Sequence, residues 1–235
     1  MSQENAMLRA IHDAAFEALG PRHWWPAETA EEVIIGAVLT QNTAWSNVEK
    51  ALGNLRRSGK LSLRALDRAR EATVARLIRP AGYFNLKARR LKAVARFFAS
   101  RCEADLARLK DADPLALRSE LLQVYGIGPE TADSILLYAL NKPIFVVDAY
   151  TRRILARHGL AEPDASYEDV QRLFTSSLPP DTPFYNEYHA LLVAVGHRHC
   201  RPKPRCAECP LFRVELFATK SALAGARRAA QDGSG

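Results

Sequence analysis

The sequence predicts an all-α protein, and three observations predict it. Apolar residues recur at helical spacing along most of the 235 residues, and period-two alternation is almost absent. Helix starts carry capping signatures: Thr29 with Glu32 three positions on, and Asp113 followed by Pro114. The apolar stretches are separated by glycine and proline, as at Gly20-Pro21, Gly126 with Gly128, and Pro179-Pro180.

In chain order, residues 6–19 make an amphipathic helix that stops at Gly20-Pro21. The Thr29 capping box opens a helix through Val33, Ile34, Ala37, Val38 and Leu39. Further helices are expected near 44–57, 62–67, 71–78, 86–100, 103–109, 149–158, 166–176 and 183–196, with turns at 80–83 and 178–181. From residue 218 the chain is small, basic and polar, and 218–235 is expected to be a disordered tail.

A chain of this length buries a core as one large domain or two small ones, and 48% hydrophobic with 25% charged residues is ordinary globular composition. No apolar run approaches the ~18 residues of a membrane span, and Met1-Ser2-Gln3-Glu4-Asn5 is polar. The expectation is a soluble cytoplasmic protein with no membrane partner. A net charge of +7 and a pI near 9.4 favour a polyanionic partner. Four unevenly spread cysteines exclude a secreted disulfide framework, and the isolated Cys102 reads as an inert, partly buried thiol.

The stretch Val124-Tyr125-Gly126-Ile127-Gly128-Pro129-Glu130-Thr131-Ala132 carries the most chemistry. A short helix over Leu115–Val124 is broken by the two glycines, and Pro129 starts a second helix with the stripe Ala132, Ile135, Leu136, Ala139 and Leu140. Helix, tight turn, helix is a helix-hairpin-helix. Its glycines permit positive φ and close approach of another chain, and the first N–H groups of the second helix can hold a phosphate oxygen. An ordinary helix–helix turn uses the same residues. Downstream, Asp148 follows the apolar Ile144-Phe145-Val146-Val147 and precedes a helix starting at Ala149, where a carboxylate serves as a cap or as a poised anion.

Hairpin and aspartate together resemble the helix-hairpin-helix DNA glycosylases of the endonuclease III superfamily, over residues 29 to about 212. The resemblance implies two helical domains with the active site in the cleft between them. Residues 30–142 would form a bundle containing the hairpin, and 1–29 plus 143–217 a second domain with the cysteine loop. It also implies that Gly126, Gly128 and Thr131 bind the DNA backbone, and that Asp148 stabilises the sugar cation as the glycosidic bond breaks. Glu130 departs from the pattern: the bifunctional members carry there a lysine that forms a Schiff base. A carboxylate cannot, so a monofunctional enzyme without AP-lyase activity is expected, with Lys142 the nearest alternative amine in sequence.

Trp24-Trp25-Pro26 and Trp45 are similar to the base pocket of the endonuclease III-like 3-methyladenine DNA glycosylases, in which aromatic faces hold a cationic alkylated purine. Core packing or a hydrophobic staple is the plainer use of such tryptophans. Gln41 matches the family position that inserts into the base stack, and it could equally be a helix C-cap. Lys87, Arg89, Arg90, Lys92 and Arg96 form a basic helix face, either solvated or along phosphates.

Cys200, Cys206 and Cys209 resemble an iron–sulfur loop whose fourth cysteine is absent, Glu215 standing in its place. An iron–sulfur cluster with three ligands or completed by His197 or His199, zinc on three Cys and one His, and a metal-free loop all remain open, and the chemistry itself requires no cofactor. The expectation is a base excision repair enzyme, acting as a monomer on double-stranded DNA with a damaged base and releasing an alkylated purine. An oxidised-pyrimidine or mismatch glycosylase is the rival within the class, and a non-catalytic helix-hairpin-helix DNA-binding protein the rival outside it.

Overall fold

The computed structural model describes residues 3–22 and 24–214. The expected tail at 218–235 and Glu215 lie outside the described residues. Among those described, eleven α-helices and several short 3₁₀ turns form, and no β-strand. The chain divides into two compact units: Trp25–Val146, and Met1–Trp24 with Val147–Gly235.

The first unit contains α2 (Ala30–Leu39), α3 (Trp45–Arg57), α4 (Leu63–Arg68), α5 (Glu71–Leu77), α6 (Phe84–Cys102), α7 (Pro114–Leu122) and α8 (Pro129–Ser134). Thr29 caps α2 by accepting the Glu32 N–H at 3.1 Å, and Glu32 reaches back to the Glu28 N–H at 3.2 Å. Residues 32–39 of α2 are all buried, so this helix is the unit's central element. Helix α6 packs against α4 and α5.

The structure corrects the sequence reading in two places here. In place of a helix at 103–109, α6 runs to Cys102 and ends where Glu103 and Ala104 turn left-handed (φ 54° and 58°). Only a 3₁₀ turn, Leu106–Leu109, follows. The helix begun at Pro129 is α-helical only to Ser134; Ile135–Ala139 winds more widely, with the Leu140 N–H on the Ile135 carbonyl. All five residues of that wide turn are buried.

The second unit contains α1 (Gln3–Leu19), α9 (Ala149–Arg157), α10 (Tyr167–Ser177) and α11 (Thr182–Arg198). Helix α11 packs against α9 and α1. The buried Tyr188 hydroxyl donates to the Leu8 carbonyl at 2.6 Å, so its polar end is satisfied inside the core. No helix among the described residues is long and apolar enough to cross a membrane.

Candidate active site

The hairpin's two glycines do different work. Gly126 has φ 77°, and a Cβ there would collide with the Arg90 side chain, so both backbone and space demand glycine. Gly128 has φ −98° and ψ 178°, and a Cβ there would meet nothing. What its missing side chain provides is an uncovered start to α8. Thr131 is buried and Glu130 exposed. Arg118 on α7 grips Asp133 on α8 bidentately at 2.7 and 3.0 Å, clamping the two arms of the hairpin; Asp133 is fully buried.

Gln41 does not cap α2, whose C-cap is Thr40. Its amide lies on the hairpin instead: Nε2 donates to the Gly126 carbonyl at 3.1 Å and to Thr131 Oγ1 at 3.0 Å, while Arg90 Nη1 donates to Oε1. Thus Gln41, Gly126 and Thr131, far apart in sequence, share one network.

The basic face of α6 is only partly free for phosphates. Lys87 is 1% exposed, and its ammonium donates to the Leu39 carbonyl (2.8 Å), Thr43 Oγ1 (2.6 Å) and the Ala81 carbonyl (2.8 Å). It therefore ties the loop carrying Gln41 to the turn before α6. Lys92 bonds the carbonyls of Leu66, Asp67 and Ala69 at the end of α4. Arg89 and Arg96 stay exposed, seven residues apart on one face.

Burial, with a smaller push from Arg90, lowers the Lys87 pKa to about 8. Between pH 8 and the unfolded value of 10.5, the folded lysine has released its proton and the unfolded one has not. This group therefore makes stability rise with pH across that window. Lys87→Met leaves three acceptors without their donor, and the expected loss at pH 7 is about 2–3 kcal/mol by denaturant unfolding. The gap between wild type and variant should widen from about pH 8 to about pH 10.

Trp25, Trp45 and Tyr138 come together: Trp25 meets Trp45 edge-to-face at 5.5 Å between centroids and Tyr138 at 5.3 Å. Pro26 and Trp45 line a cavity of about 440 Å³ with Ala27, Glu28, Glu32, Glu49, Leu52 and Arg56. Glu32 pairs with Arg56 at 2.7 Å. Trp24 belongs to the other unit.

In that other unit, the buried Val147 leads into Asp148 at the start of α9, and the Val147 N–H donates to the Tyr167 hydroxyl at 3.2 Å. Asp148 caps α9: Oδ1 accepts the Thr151 N–H at 2.7 Å. Its side chain is 13% exposed, and Oδ2 faces His189 Nε2 at 3.8 Å. Burial pushes the His189 pKa below its usual value, against the opposing pull of Asp148. Sequence reading missed His189, because a single histidine on an apolar helix carries no distinguishing pattern.

The cysteine loop does not fit an iron–sulfur cluster. Cys200 is buried, Cys209 half-buried and Cys206 exposed, and the cavity they line with His199 and Arg157 is about 40 Å³. Among the described residues no three Cys, His, Asp or Glu side chains are grouped to hold a metal ion. A guanidinium occupies the neighbourhood instead: Arg157 Nη1 lies 3.3 Å from Cys200 Sγ, and Arg157 also donates to the Arg201 and Pro202 carbonyls. Arg153 donates to the Cys200 carbonyl at 2.6 Å. Arg201, Lys203 and Arg205 are exposed to solvent.

Comparison with known proteins identifies the family. Residues 35–180 match the model of the HhH-GPD superfamily of base excision DNA repair proteins. A Methanocaldococcus jannaschii protein provisionally named a DNA repair glycosylase is 45% identical over 207 residues, covering 87% of this chain and 94% of its own. The structure of an H. pylori 3-methyladenine DNA glycosylase bound to 1,N6-ethenoadenine superposes with a TM-score of 0.69 at 26% identity, covering 84% of this chain and 98% of that one. A non-covalent endonuclease III–DNA complex shares the fold, with a TM-score of 0.75 at 19% identity over 94% of this chain and 99% of that one. The chain belongs to the HhH-GPD superfamily of base excision DNA repair proteins and is a DNA glycosylase.

Proposed function

We propose that the enzyme is a monofunctional N-glycosylase that takes an alkylated purine, 3-methyladenine above all, out of duplex DNA and hydrolyses its N-glycosidic bond. One observation carries the substrate class: Trp45 and Pro26 line a cavity that holds three carboxylates against one guanidinium. An aromatic wall with net negative charge suits a flat cationic base, and an N3-methylated adenine is one. The similarity to an H. pylori enzyme named for that base supports the same class. Trp25, edge-to-face on Trp45, completes the aromatic side of the pocket in this reading.

Such a base is already a good leaving group. It departs with the electron pair of the C1′–N bond, and a positive charge develops on the sugar. The Asp148 carboxylate stabilises that charge, water adds to C1′, and the water's proton passes to solvent. Gly126, Gly128 and Thr131 hold the DNA backbone, and Gln41 fills the space the flipped base leaves. The enzyme works as a monomer on double-stranded DNA, in the cytoplasm or on the nucleoid.

The hairpin supports the absence of lyase chemistry. Glu130 offers no amine, and Lys142 is buried with its ammonium on the carbonyls of Lys110 and Ala112, the latter at 2.8 Å. Incubating the protein with methylated duplex in the presence of borohydride is expected to give no trapped protein–DNA adduct and no strand break before alkali. A covalent adduct would contradict the monofunctional reading.

A further inference from the structure

Resting on the reading of Asp148 as the catalytic carboxylate, we infer that His189 is its positioning residue, a neutral imidazole that holds Oδ2 in the orientation the reaction needs. The two carboxylate oxygens of Asp148 have distinct surroundings. Oδ1 is committed to the Thr151 N–H at 2.7 Å, so Oδ2 is the oxygen left to face the sugar. The group at Oδ2 is His189 Nε2, 3.8 Å away on α11, with both side chains largely buried. That gap is longer than a hydrogen bond and too short to admit a bridging water, so a shift of the carboxylate by under ~1 Å closes it.

The backbone supports a fixed relation between the two helices. Tyr150, two residues after Asp148, sits directly on Gly196, where any Cβ would collide with it. Gly196 is seven residues beyond His189, two turns along the same face of α11. Further on, Arg153 of α9 donates to the Cys200 carbonyl at 2.6 Å. Helix α9 thus meets α11 and the residues just beyond it at three successive levels, and His189 is the level that meets the carboxylate.

The charge state suits the task. An imidazolium at this place would pair with Asp148 and compete with the developing sugar cation for its charge. Burial holds His189 neutral, so it can donate one N–H to Oδ2 without cancelling the anion. A carboxylate pinned at one oxygen by a helix N–H and at the other by a neutral donor keeps its geometry as charge develops.

The test compares His189→Leu, which removes the donor, with His189→Gln, whose side-chain amide returns an N–H near the Nε2 position, and with Asp148→Asn. Single-turnover release of 3-methyladenine from methylated duplex is measured with enzyme in excess. Affinity for a duplex holding a tetrahydrofuran abasic analogue, and the unfolding midpoint, are measured alongside. Expected is a ~10- to 100-fold slower release for His189→Leu with affinity within ~3-fold of wild type, and recovery of most of the rate in His189→Gln. Wild-type release by His189→Leu beside an inactive Asp148→Asn overturns the role of His189 and leaves that of Asp148 standing. A parallel fall of rate, affinity and unfolding midpoint in both His189 variants overturns it as well, since packing alone would do that. Wild-type release by Asp148→Asn removes the underlying reading of Asp148, and the His189 role with it.

Discussion

Replacing Asp148 with asparagine is expected to slow base release by about 10²- to 10³-fold, the range seen when one electrostatic stabiliser of a transition state is removed. The substitution is nearly isosteric, and asparagine caps helices as well as aspartate does. The introduced amide oxygen can therefore still accept the Thr151 N–H that now lies at 2.7 Å, and α9 should keep its start. What is lost is the negative charge that the proposed mechanism sets against the developing sugar cation. The effect should fall on the chemical step, with affinity for an abasic-analogue duplex within a few-fold of wild type. Asp148→Ala removes charge and cap together, so it should also lower the unfolding free energy by about 1 kcal/mol. Single-turnover kinetics and denaturant unfolding separate these contributions.

The largest expected effect on stability lies beneath the hairpin. Asp133 is fully buried, and its carboxylate is satisfied by the bidentate Arg118. Arg118→Met leaves that charge in the core without its main partner, and the expected cost is about 3–5 kcal/mol. Against a typical domain stability of ~5–15 kcal/mol, such a loss is a large fraction of the total. Because the pair bridges α7 and α8, the first region to loosen should be residues 123–131, the turn between them. Amide exchange there should accelerate before global unfolding. The double variant Arg118→Met/Asp133→Leu should recover much of the loss, since a buried ion pair is often replaceable by apolar groups of similar volume. A double variant as unstable as Arg118→Met alone would show that the pair contributes more than mutual neutralisation.

Much of the helical frame is legible in the sequence because its signals are local. Thr29 with Glu32, Asp113 with Pro114, and Pro129 after Gly128 each mark a helix start that forms as expected. Local signals also mark Asp148 as the cap of α9. What sequence reading lacks is reach across the fold. Lys87 and Lys92 look like their neighbours Arg89 and Arg96 on a basic stripe, yet their flexible stems carry the ammonium groups onto carbonyls of other segments. Arg118 and Asp133 lie 15 residues apart, across two glycines, with no local reason to pair. The end of α6 is hidden because Glu103 and Ala104 adopt positive φ, which neither residue type advertises. The wide turn at Ile135–Ala139 escapes for a related reason: its five apolar residues read equally well as ordinary α-helix. Resemblance singles out Gln41, but its seat on Gly126 and Thr131 depends on contacts 85 and 90 residues away.

The most direct measurement is the release of free bases from duplex DNA methylated with dimethyl sulfate, separated chromatographically, for the wild type and Asp148→Asn. The account predicts 3-methyladenine released by the wild type, the signal falling by ~10²-fold or more in the variant, and strands intact until alkali is added. No alkylated purine released by the wild type, with activity instead on oxidised-pyrimidine or mismatched duplexes, would contradict the substrate assignment. Undiminished release by Asp148→Asn would contradict the mechanism.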